Sequence, residues 1–221
     1  MGLKVAEHIF TYIDPPCEKD LERAVVVLRK DGVIAYPTDV NWAFGCAASS
    51  VKGLDRIRSL KPHHPKDRPF SFLCGSISMA AEIGVIDHQA YSMLKKAWPG
   101  PYTVLLKANR SLPRQLKETR PVVGIRVPDN PLLLALIERL QEPLITTSAP
   151  ELTSGGPAHH GYEIEDEFGH GLDVILDLGE ELVGAESTIV DLTEGAPTLV
   201  RAGNGDVSIF GLTIGDHEGS S

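Results

Sequence analysis

Cysteine is scarce. Cys17, Cys46 and Cys74 are the three in 221 residues, odd in number, far apart and without a C-x-x-C pair. That argues against a disulfide scaffold and against a cysteine zinc site, and a reducing compartment is the simpler expectation. Positive charge is also short: Lys plus Arg is 21 against 30 for Asp plus Glu, a net charge of −9. The broad basic footprint of a nucleic-acid binder is missing, although a local basic cleft is compatible with an acidic chain. No window approaches the ~20 apolar residues of a membrane span. The first ten residues carry Lys4, Glu7 and His8 and no apolar run that would suit a signal peptide. The expected location is the cytoplasm, with no membrane partner.

Common fingerprints are missing too. There is no G-x-x-x-x-G-K-[ST] phosphate loop, no G-x-G-x-x-G dinucleotide loop, no H-E-x-x-H helix and no G-x-S-x-G elbow. Any nucleotide must rest in another cradle. His63-His64 and His159-His160 are adjacent pairs, with His170 at a distance. Neighbours in a strand point to opposite faces, so such pairs rarely chelate one ion. They read as solvated loop residues, and no metal ligands are expected from protein side chains.

What is present is an ordinary folding chain, 42% apolar and 23% charged, with 21 Gly and 16 Pro for turns. It has no internal repeat and no Ser/Gly linker. The expectation is one domain over residues 1–212 and a polar tail at 213–221. Strands are expected at Val5–Ile13, Val33–Tyr36, Phe70–Cys74, Tyr102–Lys107, Val122–Val127, Leu144–Thr147, Val174–Leu178, Ile189–Leu192 and Thr198–Val200. Helices are expected at Glu18–Lys30 (capped by Gly32), Ser50–Leu60, Asp87–Trp98 and Pro131–Leu140. Strands alternating with helices indicate an α/β layer architecture, and the closely spaced later strands indicate a mixed sheet.

Six segments carry candidate chemistry. Tyr36-Pro37-Thr38-Asp39 ends a strand with a hydroxyl and a carboxylate, either at a cleft edge or in a turn that only reverses the chain. Lys61-Pro62-His63-His64-Pro65-Lys66-Asp67-Arg68-Pro69 is a proline-stiffened cationic loop, suited to an anion such as a polyphosphate or merely solvated. Arg126 lies within an apolar strand and must meet solvent, a carboxylate or a ligand anion. Thr146-Thr147-Ser148, Glu186-Ser187-Thr188 and Val200-Arg201 place hydroxyls and an Arg at strand ends.

Taken in order, these segments resemble the YrdC/YciO family. The matching stretches are Tyr36–Cys46, Lys61–Phe70, Pro99–Thr103, Val123–Pro128, Thr147–Pro150, Ser187–Asp191 and Val200–Gly203, with the YciO-like branch the better fit near the C-terminus. The resemblance implies a single YrdC-like α/β domain, a twisted mixed sheet flanked by helices, with a large open cleft. It implies an L-threonylcarbamoyl-adenylate synthase, which joins L-threonine, bicarbonate and ATP with Mg2+, releases pyrophosphate and serves the modification of adenosine 37 in tRNA. Lys61 and Arg68 are then the catalytic cations. Lys61, Lys66, Arg68, Ser148 and Arg201 would hold the nucleotide, and Thr38, Arg126 and Ser187 the threonine. Three departures stand out: Pro150 replaces the family's Asn in T-S-A-N, Trp42 replaces a Tyr, and the family's compact K-x-R-P loop is spread out, with Lys61 at the Lys and His63 at the Arg position or the literal Lys66-Asp67-Arg68-Pro69 in its place. A proline has no side-chain donor or acceptor, so weakened activity is expected. The rival reading is a non-catalytic module that binds tRNA or double-stranded RNA. A monomer or weak dimer is expected.

Overall fold

The segments richest in β-branched and aromatic residues join in one sheet of ten strands. The computed structural model describes residues 6–63, 70–109 and 122–213. In chain order these residues form β1 (Glu7–Phe10), α1 (Glu18–Leu28), β2 (Ile34–Pro37), β3 (Trp42–Ala47), α2 (Val51–Leu60), β4 (Ser71–Leu73), α3 (Ile77–Ile83), α4 (His88–Ala97), β5 (Tyr102–Lys107), β6 (Val122–Arg126), α5 (Pro131–Leu140), β7 (Leu144–Ser148), α6 (Gly161–Phe168), β8 (Val174–Asp177), β9 (Thr188–Asp191) and β10 (Thr198–Arg201). This is the expected mixed α/β layer fold. The expected tail, 213–221, lies outside the described residues apart from its first position, Thr213. Among the described residues no helix is long and apolar enough to cross a membrane.

Local chemistry explains most of the boundaries. Ser50, Asp87 and Asn130 cap α2, α4 and α5 by accepting the backbone N–H of Gly53, Ala90 and Leu133. Pro131 opens α5, where its missing N–H costs nothing. The expectation that Gly32 ends the first helix needs correction. The left-handed residue there is Asp31, with φ 62°. Gly32 instead makes a close approach, since a Cβ on it would lie 2.3 Å from Val27 Cγ1.

The sheet runs β1-β8-β2-β3-β7-β4-β6-β5-β9-β10. Strands β1, β8, β2, β7, β5 and β9 point one way; β3, β4, β6 and β10 point the other. One face carries Phe44, Phe72, Val104, Ile125 and Val190 in an apolar cluster with Leu54, Ala80, Leu94 and Phe168 from α2, α3, α4 and α6. The other carries Ile34, Tyr36, Ala43 and Leu73 under α1 and α5. That second cover does not reach β5, β6 and β9. There the same face presents Thr103, Gly124 and Arg126, opposite the inward Val104, Val123 and Ile125. The period-2 alternation therefore leaves a polar stretch beyond the two helices.

Register places the two ends of this stretch far apart on a flat lattice. Arg126 is level with Leu73 and hence with Leu144, the first residue of β7, whereas Pro37 and Trp42 lie at Ser148's end. Four interstrand steps separate β2 from β6, and at ~20–25° each they accumulate roughly 80–100° of twist. The twist swings the end of β6 back across the face.

Candidate active site

The turn after β2 is built by Thr38. Its backbone N–H and its hydroxyl both donate to Asn41 C=O, at 2.9 and 2.8 Å, and its Oγ1 accepts from the N–H of Val40 and Asn41 at 3.1 and 3.0 Å. Thr38 is buried. Of the two roles read for it, chain reversal is what the geometry shows. Its hydroxyl proton is spent inside the turn, so it acts by fixing where Asp39 and Asn41 stand.

Asp39 receives Arg126. The guanidinium Nη2 donates to Asp39 Oδ1, and both side chains are more than four-fifths buried, at 14% and 8% exposure. Arg126 therefore faces a carboxylate and not solvent. The pairing is incomplete: Asp39 Oδ2 and Arg126 Nε are buried and have no hydrogen-bond partner. A buried donor and acceptor left open side by side are costly unless something fills them.

A second group lies at the end of β7. Lys61, the residue that closes α2, donates from Nζ to Thr147 Oγ1 at 3.1 Å and to Ser148 C=O at 2.8 Å. Burial lowers its pKa below the ordinary lysine value of 10.5. Ser148 is exposed, and its Oγ accepts from Asn41 Nδ2 at 3.4 Å. An ammonium, a hydroxyl and an amide thus converge. The other expected cations, Lys66 and Arg68, lie outside the described residues.

The third group comes from the start of β9. Ser187 is buried, and its Oγ lies 3.0 Å from Thr103 Oγ1. Arg201 donates through Nε and Nη2 to Ser187 C=O and through Nη2 to Ser187 Oγ, while Nη1 meets Glu186 Oε1 at 2.7 Å. The expectation placed Arg201 with the nucleotide. Its hydrogen bonds group it with Ser187 and Glu186. The turn joins the groups, because Ala185 N–H donates to Val40 C=O at 2.9 Å. The turn Thr38–Asn41 therefore bonds to Arg126, to Ser148 and to the segment that leads into Ser187.

Asp39 was read as a carboxylate at a cleft edge or in a turn, and it stands in the turn. Asn41 and Thr103 were given no role, although both lie inside matched stretches, Tyr36–Cys46 and Pro99–Thr103. Among the described residues no three His, Cys, Asp or Glu side chains gather to hold a metal ion. Cys46 is buried with its thiol pushed up to about 12 by burial, and burial pushes Cys74 up as well, so neither offers a thiolate near neutral pH.

Comparison with known proteins follows this geometry. The Sua5/YciO/YrdC family model, described as "Telomere recombination", matches residues 26–203. The chain belongs to the Sua5/YciO/YrdC family. It is 36% identical over 208 residues to the "Uncharacterized protein YciO" of Escherichia coli K12, covering 91% of this chain and 98% of that one. The crystal structure of E. coli YciO superposes with a TM-score of 0.85 at 34% identity, over 93% of this chain and 99% of that one. A threonylcarbamoyl-AMP synthase from Pyrococcus abyssi is 30% identical over 190 residues, 86% of this chain and 55% of that protein. Another structure, P. abyssi Sua5 complexed with L-threonine, matches with a TM-score of 0.78 at 26% identity, over 90% of this chain and 57% of that one. This family member is thus related to threonylcarbamoyl-AMP synthases while also resembling YciO along nearly its whole length.

Proposed function

We propose that this chain forms an aminoacyl-carbamoyl adenylate, with L-threonine, bicarbonate and Mg2+-bound ATP as reactants. The observation that carries the reading is the two-part site on one turn. On one side stands a cation–hydroxyl–amide group, Lys61, Ser148 and Asn41. On the other stands an ion pair with one open acceptor and one open donor, Asp39 Oδ2 and Arg126 Nε. An α-amino acid supplies the complement of that open pair, an amine for the carboxylate oxygen and a carboxylate for the guanidinium N–H. Polyphosphate suits the donor group. The L-threonine complex of the P. abyssi relative supports the amino-acid half.

The chemistry needs no covalent enzyme intermediate. The amine of the amino acid combines with bicarbonate, losing water, to give a carbamate. A carbamate oxygen attacks the α-phosphorus of ATP, the bond to the bridging β-phosphate oxygen breaks, and pyrophosphate leaves with the electron pair. Lys61 neutralises charge on the phosphates, Ser148 donates to a phosphate oxygen, and Arg126 orients the amino acid so that the carbamate lies in line. Mg2+ enters with the triphosphate and spreads its charge. Positioning and electrostatics of this kind lower the barrier without a nucleophilic side chain. The product would serve tRNA adenosine modification. The test is pyrophosphate release that requires both L-threonine and bicarbonate. Release independent of either reactant, or none at all, rejects the reading.

A further inference from the structure

The β3–β7 ladder ends beside Ser148. Ala43 pairs with Ser148 and Phe44 with Thr147. One step outward, Ala149 N–H donates to Trp42 C=O at 2.9 Å. The same register carried one residue further sets Asn41 opposite Pro150. Both residues lie just beyond the paired strands, at the same end of the ladder, and the Asn41 side chain reaches Ser148 there. Pro150 can place no hydrogen-bonding group there, and Asn41 can place an amide with two donors and one acceptor.

Asn41 is also held for the task. Its backbone N–H and C=O are both bonded to Thr38, so the turn keeps its main chain fixed while its side chain stays free of that network. One amide N–H reaches Ser148 Oγ at 3.4 Å, at the long end of a hydrogen bond, and the second remains available. Ser148 in turn carries Lys61 on its carbonyl. The only carboxylate on the turn, Asp39, is aimed at Arg126. Lys61, Ser148 and Asn41 thus bring an ammonium, a hydroxyl and an amide N–H together with no carboxylate among the three, a donor set that suits an oxyanion.

We propose that the Asn41 side-chain amide is a phosphate contact for the nucleoside triphosphate, supplying from β3 the donor that Pro150 cannot supply from β7. The inference rests on the nucleotide reading of this site. A neutral hydrogen bond to the ligand corresponds to about 2- to 12-fold in affinity. Asn41→Ala should weaken Mg2+-bound ATP by that factor. Asn41→Asp, which keeps the shape but replaces donors with a negative charge, should weaken it more. Pro150→Asn placed in the Asn41→Ala background should recover most of the loss, and the same change in wild type should gain less.

Calorimetry with Mg2+-bound ATP on the wild-type protein and these four variants decides the matter, with urea midpoints as the check on folding. Those midpoints should be nearly unchanged by Asn41→Ala, because the turn uses only the backbone of Asn41. Equal ATP affinity in wild type and Asn41→Ala overturns the inference. A loss that Pro150→Asn fails to recover overturns the exchange between strands. Wild-type protein that binds no ATP is a different result: it removes the nucleotide reading itself and the contact along with it.

Discussion

Arg126 Nη2 and Asp39 Oδ1 meet in a buried ion pair that joins the last residue of β6 to the turn after β2. The two residues are 87 positions apart in sequence. Each keeps one buried polar atom unpaired, so the contact is a structural tie with spare capacity.

The tie should be visible as stability. Arg126→Ala leaves a buried carboxylate without its counter-charge, and breaking such a pair from one side costs roughly 3–5 kcal/mol. Asp39→Ala combined with Arg126→Ala should be less damaging than Arg126→Ala alone, because no lone charge remains buried. Urea denaturation of the three variants checks the order. A double variant as unstable as the sum of the singles would contradict it.

Lys61 should matter to ligand more than to fold. Lys61→Met keeps the apolar stem and removes the ammonium. A charge-assisted phosphate contact is worth roughly 1.5–3 kcal/mol, so Mg2+-bound ATP should weaken at least ~10-fold. Burial holds the Lys61 pKa below 10.5. The ammonium is the binding form, so ATP affinity should begin to fall at a pH below the ordinary lysine range. In Lys61→Met that alkaline decline should disappear from a binding titration.

Gly124 keeps the floor of the polar stretch low. A Cβ there would lie 3.0 Å from Ser71 Oγ, 3.4 Å from Leu105 Cδ2 and 3.5 Å from Thr103 Cγ2. Gly124→Ala requires a small shift of Ser71, and Gly124→Val extends the intrusion toward Arg126's face. Overpacking of this kind costs ~1–3 kcal/mol, which at the site should weaken L-threonine at least ~5-fold while leaving ATP within about 2-fold. Separate titrations of the two ligands check the split.

His8 gives the fold a pH dependence. Its Nδ1 lies 2.7 Å from Glu165 Oε2 and its Nε2 lies 2.8 Å from Asp177 Oδ2. Burial pushes its pKa down, but the hydrogen bonds and charges of the two carboxylates outweigh that, and the net shift is upward from 6.5. The folded protein thus holds the proton more tightly than the unfolded chain. The stabilisation is fully present below 6.5 and is lost as pH rises through the folded-state value. His8→Gln should lose more stability near about pH 5.5 than near about pH 8.5, as read from denaturation midpoints at each pH. An equal loss at both would show that the two contacts act only as neutral hydrogen bonds.

Periodicity read the sheet well where strands alternate or sit between clear turns. Tyr102–Lys107 and Pro131–Leu140 match β5 and α5 residue for residue. β3 escaped because Trp42–Ala47 interleaves Gly45 and two alanines with its large residues, without the alternation or the β-branched run that marks a strand. α3 has only seven residues. α6 begins at Gly161 and is capped through His160 and Glu163, without the Ser, Thr, Asp or Asn that marks a start. The site was partly legible for a related reason. Lys61, Arg126, Ser148 and Ser187 lie in short patterned segments that announce themselves. Asn41 becomes meaningful only once the β3–β7 register sets it against Pro150. Arg201 is placed by its bonds to Ser187, which sequence order alone does not indicate.

Strand β4 is three residues long, yet among the described residues it is the strand that pairs with both β7 and β6. Lys61 and Ser148 stand on one side of that seam, and Arg126, Thr103 and Ser187 on the other. A ligand that touches both sides is therefore a second stitch, laid parallel to the first. Its binding should slow exchange of the Cys74 amide, which donates to Arg126 C=O at 2.8 Å across the seam, although Cys74 faces the apolar core and need never touch the ligand. The narrowest strip of the sheet thus becomes a gauge of occupancy, read from the backbone.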